Sequence, residues 1–191
     1  ELGWEIYFRP QNDIEMLGDL ILEEGSKMGM ILTATPGFRC RRIEAALLSA
    51  GQDFTQTTTP FAVGLARFID FEKGDFVGRT ALMAADKECR SWGIRVEGGT
   101  AVRGDTLEKS GQPVGRVTSS TWSPYQVCGV GIVHLNNTNL GPGAVVDVQC
   151  TDGTLHRGEL CTLPMYDPKG KIVRGINKVI PTEPEPWVGI P

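Results

Sequence analysis

Four apolar residues in alternation, Leu2, Trp4, Ile6 and Phe8, open the chain, with Glu1, Gly3, Glu5 and Tyr7 between them. That period of two predicts a strand with one face toward a core and the other toward solvent. Pro10 stops the run. Asn12 or Asp13 can cap a helix whose apolar residues Ile14, Leu17, Leu20 and Ile21 fall at helical spacing, closed by Gly25 and Gly29. A short apolar run, Met28 to Leu32, predicts a second strand. Thr35-Pro36 supplies a cap followed by a first-turn proline, and the helix they start is expected to reach about Ala50, with Gly51 as its stop. Its buried stripe would be Ile43, Ala46, Leu47 and Ala50, which leaves Arg41 and Glu44 off that face.

Thr55 to Pro60 is a polar loop. Residues 72–82, EKGDFVGRTAL, read as a turn entering a helix from Arg79 to about Lys87, with Asp75 able to cap it and Phe76 and Val77 able to bury against what precedes. From Ser91 onward the pattern changes. Trp92, Ile94 and Val96 alternate, as do, less strictly, residues in 113–119, 127–133, 144–150 and 154–162. Turn signals lie between them: Gly98-Gly99, Gly111-Gln112, Asn136-Asn137, Gly141-Pro142-Gly143 and Asp152-Gly153. Five or six short strands at this spacing predict a small antiparallel barrel or sandwich. The fold class is therefore α+β, with a boundary near residue 90. The last stretch carries Pro181, Pro184, Pro186 and Pro191, and is expected to be an extended tail, mobile or laid over a neighbour.

Composition narrows the partners. The chain has 191 residues, 40% of them hydrophobic, enough for one large domain or two small ones. A net charge of −4 argues against a nucleic-acid partner, because such binders need clustered cations, and the densest cluster here is Arg39-Cys40-Arg41-Arg42. No apolar run approaches the ~18 residues of a spanning helix, and no charged-then-apolar leader is present, so a soluble protein without a membrane partner is expected. The cysteines, Cys40, Cys89, Cys128, Cys150 and Cys161, are odd in number and form no C-x-x-C pair. Reduced thiols, a cytoplasmic location and no metal site follow as expectations. An opening in mid-strand without Met points to the C-terminal part of something longer.

Chemistry-bearing residues are few. His134 and His156 sit in predicted strands, away from any acid or nucleophile, and a structural role is expected for both. There is no G-x-S-x-G, no P-loop and no dinucleotide fingerprint. On its own, Glu5 is a carboxylate on the polar face of a strand. On their own, Arg39, Arg41 and Arg42 are a solvated basic patch with room for an ion pair. These patterns choose no ligand.

Several segments in order do more. Residues 1–7 (ELGWEIY), Arg42-Ile43-Glu44, residues 58–65 (TTPFAVGL), residues 73–79 (KGDFVGR), and residues 114–124 (VGRVTSSTWSP) followed by Gly129-Val130-Gly131 resemble the tetrahydrofolate-binding aminomethyltransferase family. That family includes the glycine-cleavage T protein, the folate domains of sarcosine and dimethylglycine dehydrogenases, and folate-dependent demethylases. The resemblance implies that residues 1–90 are the latter portion of a folate-binding domain, 91–166 its C-terminal barrel and 167–191 a Pro-rich tail. It implies tetrahydrofolate as cofactor, a small-molecule one-carbon donor as substrate, and the preceding portion of the same protein as structural partner. Glu5 matches the family's glutamate that grips the pterin edge, where a carboxylate can accept a ring N–H and an amino group together. Tyr166 resembles a C-terminal aromatic bordering the folate pocket, Arg39 and Arg42 are secondary contacts, and Trp4 has a packing role.

No catalytic residue is implied in this chain, since the family's aspartate would lie upstream of residue 1. Phe38 stands where the glycine-cleavage branch carries a folate-binding arginine, so the pattern leans toward the demethylase and dehydrogenase relatives. Asp75 stands where a branch serving iron–sulfur proteins carries cysteine, which sets that branch aside. The alternatives are a folate-binding module of a flavin-dependent amine dehydrogenase, or a scaffold that no longer catalyses.

Overall fold

The structure, a computed structural model, describes residues 4–179 and 181–190, with residues 35 and 36 described by backbone alone. Helix α1 spans Ile14–Lys27, α2 Thr35–Glu44 and α3 Arg79–Ala84. Strands β1 (Ser91–Val96), β2 (Thr106–Lys109), β3 (Gln112–Ser123), β4 (Cys128–Leu135), β5 (Val145–Gln149) and β6 (Leu155–Cys161) follow. They close into a barrel in the order β1-β4-β3-β2-β5-β6, each neighbouring pair antiparallel. Closure leaves no free sheet edge, so the strands need no partner from outside the sequence that makes them.

Alternation explains the barrel's interior. Ile94, Val96, Leu107, Val117, Val133, Leu135, Val146, Val148 and Leu160 point inward into one cluster, each at most 1% exposed. On β4 the other set, Cys128, Val130 and Ile132, is buried too, because Ile43 of α2 packs on the barrel's outer wall there, with Leu48, Leu163, Met165 and Trp187 around it. β4 is thus covered on both faces. Its glycines serve that crowding: a Cβ on Gly129 would sit 2.0 Å from the Gly99 carbonyl oxygen. β2 escaped the sequence pattern because Thr106-Leu107-Glu108-Lys109 offers one apolar residue, Leu107, fully buried.

The N-terminal third differs from expectation. α1 forms, with Asp13 as N-cap accepting the Met16 N–H at 2.9 Å. Of the two early strands, residues 1–3 lie outside the described residues, and 4–8 and 28–32 form no strand, since no neighbouring strand offers them a ladder. Trp4 is 96% exposed, against its expected packing role, and Ile31 is 82% exposed.

α2 stops at Glu44 rather than near Ala50. Ala46 turns to φ 60°, and the Arg42 guanidinium takes the Leu47 carbonyl at 3.1 Å, pulling the chain out of the helix. Ile43 is buried as expected but Leu47 is exposed, whereas Glu44, expected off the buried face, is 7% exposed. α3 ends at Ala84. Its N-cap is Gly78 at φ 90° with no side-chain cap, so Asp75 does not cap it, and Val77 lies fully in solvent rather than buried.

The tail folds back over its own chain. Glu185 N–H donates to the Tyr125 carbonyl at 2.8 Å, Trp187 N–H to the Gln126 carbonyl at 2.7 Å, and Ile190 N–H to Glu97 Oε1 at 2.8 Å.

Candidate functional site

Two of the segments that carried the resemblance meet across the junction of α2 and the barrel. Arg42, on the last turn of α2, donates Nη1–H to Asp53 Oδ2 at 2.9 Å and Nη2–H to Ser119 Oγ at 2.7 Å. The Asp53 side chain is fully buried. Its Oδ1 accepts from Thr118 Oγ1 at 2.7 Å and Ser119 Oγ at 2.6 Å, and its Oδ2 from Ser49 N–H at 2.8 Å. A buried carboxylate survives only with such a full set of donors. Two residues on, Glu44 Oε1 accepts from Ser123 Oγ and from Gln126 Nε2, the latter at 3.2 Å. Gln126 in turn holds Arg95 of β1, whose Nε–H donates to Gln126 Oε1 at 2.6 Å. Arg42-Ile43-Glu44 and the TSSTWSP stretch of β3 are therefore two halves of one clasp.

The clasp seats Tyr166. The Glu44 carbonyl accepts from Met165 N–H at 2.7 Å and Tyr166 N–H at 3.2 Å. The Tyr166 ring then meets Tyr125 edge to face, centroids 5.3 Å apart and planes at 75°, a favourable geometry for aromatic quadrupoles. Tyr125 Oη–H donates to Glu185 Oε2 at 2.7 Å. That bond, reinforced by burial and by the Glu185 charge, pushes the Tyr125 phenol up to about 12. Burial, with the charges of Asp167, Glu44 and Glu185, also raises Tyr166. Around these residues lies a groove of about 540 Å³, walled by Arg95, Tyr125, Tyr166 and the tail residues Glu185 and Trp187. That volume falls within the range of small-molecule pockets.

The four residues nominated for cofactor contact lie in four settings. Arg42 is committed to the clasp. Tyr166 lines the groove. Arg39 is exposed on α2 one residue after Phe38, itself half exposed. Glu5 is exposed on the segment before α1, where its Oε2 accepts from the Tyr7 hydroxyl, a bond that raises the Tyr7 phenol. Its Oε1 has no hydrogen-bond partner among the described residues. Asp53, Gln126 and Arg95 went unnoticed in the sequence. The bonds between their side chains and other side chains span 11 to 82 positions, and no local spacing marks them.

All five cysteines are free and both histidines are hydrogen-bonded. Burial pushes Cys40, Cys128, Cys150 and Cys161 each up to about 11, so they are poor nucleophiles at neutral pH. His134 Nδ1 lies 3.0 Å from Ser91 Oγ. His156, contrary to expectation, has an acid beside it: Nε2 is 2.7 Å from Asp152 Oδ2, while Nδ1 is 2.7 Å from the Glu97 carbonyl. Both its nitrogens are engaged, which ties down the Asp152-Gly153 turn. Among the described residues no group of three or more potential ligands could hold a metal ion, and no helix is long and apolar enough to cross a membrane.

Comparison with known proteins follows the same division. The GCVT N-terminal domain model matches residues 1–73, and the glycine cleavage T-protein C-terminal barrel domain model matches residues 90–167. The chain is 32% identical over 180 residues to an aminomethyltransferase of Streptomyces avermitilis, across 87% of this chain and 46% of that protein. It is 30% identical over 181 residues to a 4-methylaminobutanoate oxidase (formaldehyde-forming) of Paenarthrobacter nicotinovorans, across 92% of this chain but 22% of that protein. The solved glycine cleavage system aminomethyltransferase T of Bartonella henselae shares the fold, with a TM-score of 0.69 at 21% identity over 81% of this chain and 44% of that one. The chain spans about half the length, or less, of the relatives it matches.

Proposed function

The chain belongs to the glycine cleavage T-protein family, and from that premise we propose that it is the folate-holding C-terminal part of a tetrahydrofolate-dependent one-carbon transferase or demethylase. The substrate class would be a small amine or other methylated donor, and the setting cytoplasmic one-carbon metabolism, a location that the five free thiols favour. Residues 1–90 would complete a folate-binding domain with sequence preceding residue 1, and 91–166 would be its barrel.

The observation that supports this reading is Glu5: a carboxylate on an exposed segment, its Oε2 accepting from the Tyr7 hydroxyl and its Oε1 without a partner among the described residues. When bound, tetrahydrofolate supplies the carbon-carrying nitrogen. The chain's own residues bind and orient it. Glu5 would accept the paired N–H donors of the pterin edge, Arg39 would offer a free cation to a carboxylate tail, and Tyr166 would border the ring. Arg42 acts on the site by holding the α2 terminus that seats Tyr166. No residue of this chain is proposed as the acid or base.

A second reading has one specific support, the 30% identity to a much longer amine oxidase: the same module at the C-terminus of a flavin-dependent amine dehydrogenase. A G-x-G-x-x-G stretch upstream of residue 1 would select it. Either form requires tetrahydrofolate binding by the full-length protein. Loss of two charge-assisted hydrogen bonds in Glu5→Ala should weaken that binding by about tenfold or more. Unchanged affinity would overturn the assignment of Glu5.

A further inference from the structure

The groove beside Tyr166 has a wall that the family models do not reach. Residues 181–190 lie beyond residue 167, where the barrel match ends, yet Glu185 and Trp187 line the same groove as Tyr125 and Tyr166, with Glu185 hydrogen-bonded to the Tyr125 hydroxyl. Two backbone hydrogen bonds, from Glu185 N–H and Trp187 N–H, pin this segment to the barrel, and Trp187 also packs against the cluster under α2. The tail therefore brings one carboxylate and one indole to a cavity that already holds an edge-to-face tyrosine pair.

We propose that this groove binds an organic cation of the quaternary-ammonium class, held against Tyr125, Tyr166 and Trp187 with Glu185 as counter-charge, and that the tail makes the site. Aromatic faces attract cations through their quadrupoles, and several such faces with a nearby carboxylate recognise alkylated ammonium groups that cannot donate hydrogen bonds. The distribution of charge supports this sign. Glu185, Asp167 and Glu44 act on the tyrosines and raise their phenols. Arg95, the cation among the lining residues, donates its Nε–H to Gln126 Oε1 at 2.6 Å. The charged residues lining the groove are two carboxylates, Asp167 and Glu185, against one guanidinium, Arg95. The proposal shares Tyr166 with the folate reading but does not rest on it.

Calorimetric titration of the chain with tetramethylammonium chloride, against sodium chloride at equal concentration, tests it. Saturable binding of tetramethylammonium but not of sodium is expected, weakened about tenfold in Trp187→Ala and also weakened in Glu185→Gln, which keeps the side-chain shape. Absence of saturable binding, an equal response to sodium, or wild-type affinity in either variant would overturn the proposal, as would tighter binding of p-aminobenzoate displaced by tetramethylammonium. Tetrahydrofolate binding measured in parallel separates the two readings: its failure while tetramethylammonium still binds would remove the folate assignment and leave this one standing.

Discussion

Two regions of this molecule carry equally regular apolar patterns and end in opposite environments. In the barrel, Ile94, Leu107 and Leu160 are fully buried, whereas in residues 4–34 Trp4 is 96%, Leu20 52% and Ile31 82% exposed. The barrel strands have each other: six of them close a cylinder, so every inward side chain meets others from the same 71-residue stretch, 91–161. The earlier segment has a capped helix and a correct periodicity, but nothing among the described residues lies against its apolar side. A pattern of alternation specifies which face is to be covered. It does not supply the cover. The segment with the uncovered face also carries the proposed folate carboxylate, Glu5.

The junction should respond most strongly. Asp53→Ala removes the buried acceptor shared by the Arg42 guanidinium, the Thr118 and Ser119 hydroxyls and the Ser49 N–H, and is expected to cost about 4 kcal/mol in urea unfolding followed by tryptophan fluorescence. A cost below about 1 kcal/mol would mean that α2 is not clasped to the barrel. Next comes the contrast itself. Ile94→Ala opens a cavity in the barrel and should cost about 3 kcal/mol, while Leu20→Ala on α1 should change global stability by less than about 0.5 kcal/mol. Similar losses at the two positions would erase the difference between the regions. Smaller still, Asp13→Ala should weaken α1 by about 1 kcal/mol, read as lost helical ellipticity while the unfolding midpoint of the barrel stays in place.

The finest effect falls inside the barrel, where the two histidines should respond to pH with opposite signs. Hydrogen bonding to Asp152 raises His156 above its usual 6.5. Its contribution is full below 6.5 and lost as pH rises through the folded value. Burial, aided by Arg116 and Arg90, lowers His134 below 6.5. Its contribution is full above 6.5 and withdrawn as pH falls toward the folded value. An NMR titration of the imidazole protons should separate the two midpoints in that order, and Asp152→Asn should move His156 alone. Coincident midpoints would refute both environments.

Legibility in the sequence follows the range of the interactions. Barrel strands could be read because alternation and turn glycines are local, and β2 was missed because one leucine makes no pattern. The end of α2 could not be read, since what breaks it is Arg42 reaching Leu47, Asp53 and Ser119. Glu44 looked like a surface acid until Ser123 and Gln126 arrived from about 80 positions away. The same contacts give physical content to the resemblance: Arg42-Ile43-Glu44 and the TSSTWSP stretch occur together because each satisfies the other's buried polar groups. Glu5 and Tyr166 were nominated by resemblance alone, and their distance in sequence hides any geometric relation from periodicity.

The central claim is that a self-sufficient barrel, clasped to α2, carries an N-terminal segment whose apolar face is still to be covered. Native-state amide hydrogen exchange on the chain tests it directly. Amides of β1, β3 and β4, together with that of Asp53 and its neighbours, should exchange only through global unfolding, while those of residues 4–34 exchange by local opening, orders of magnitude faster. Protection of residues 4–34 equal to that of the barrel strands would contradict the account.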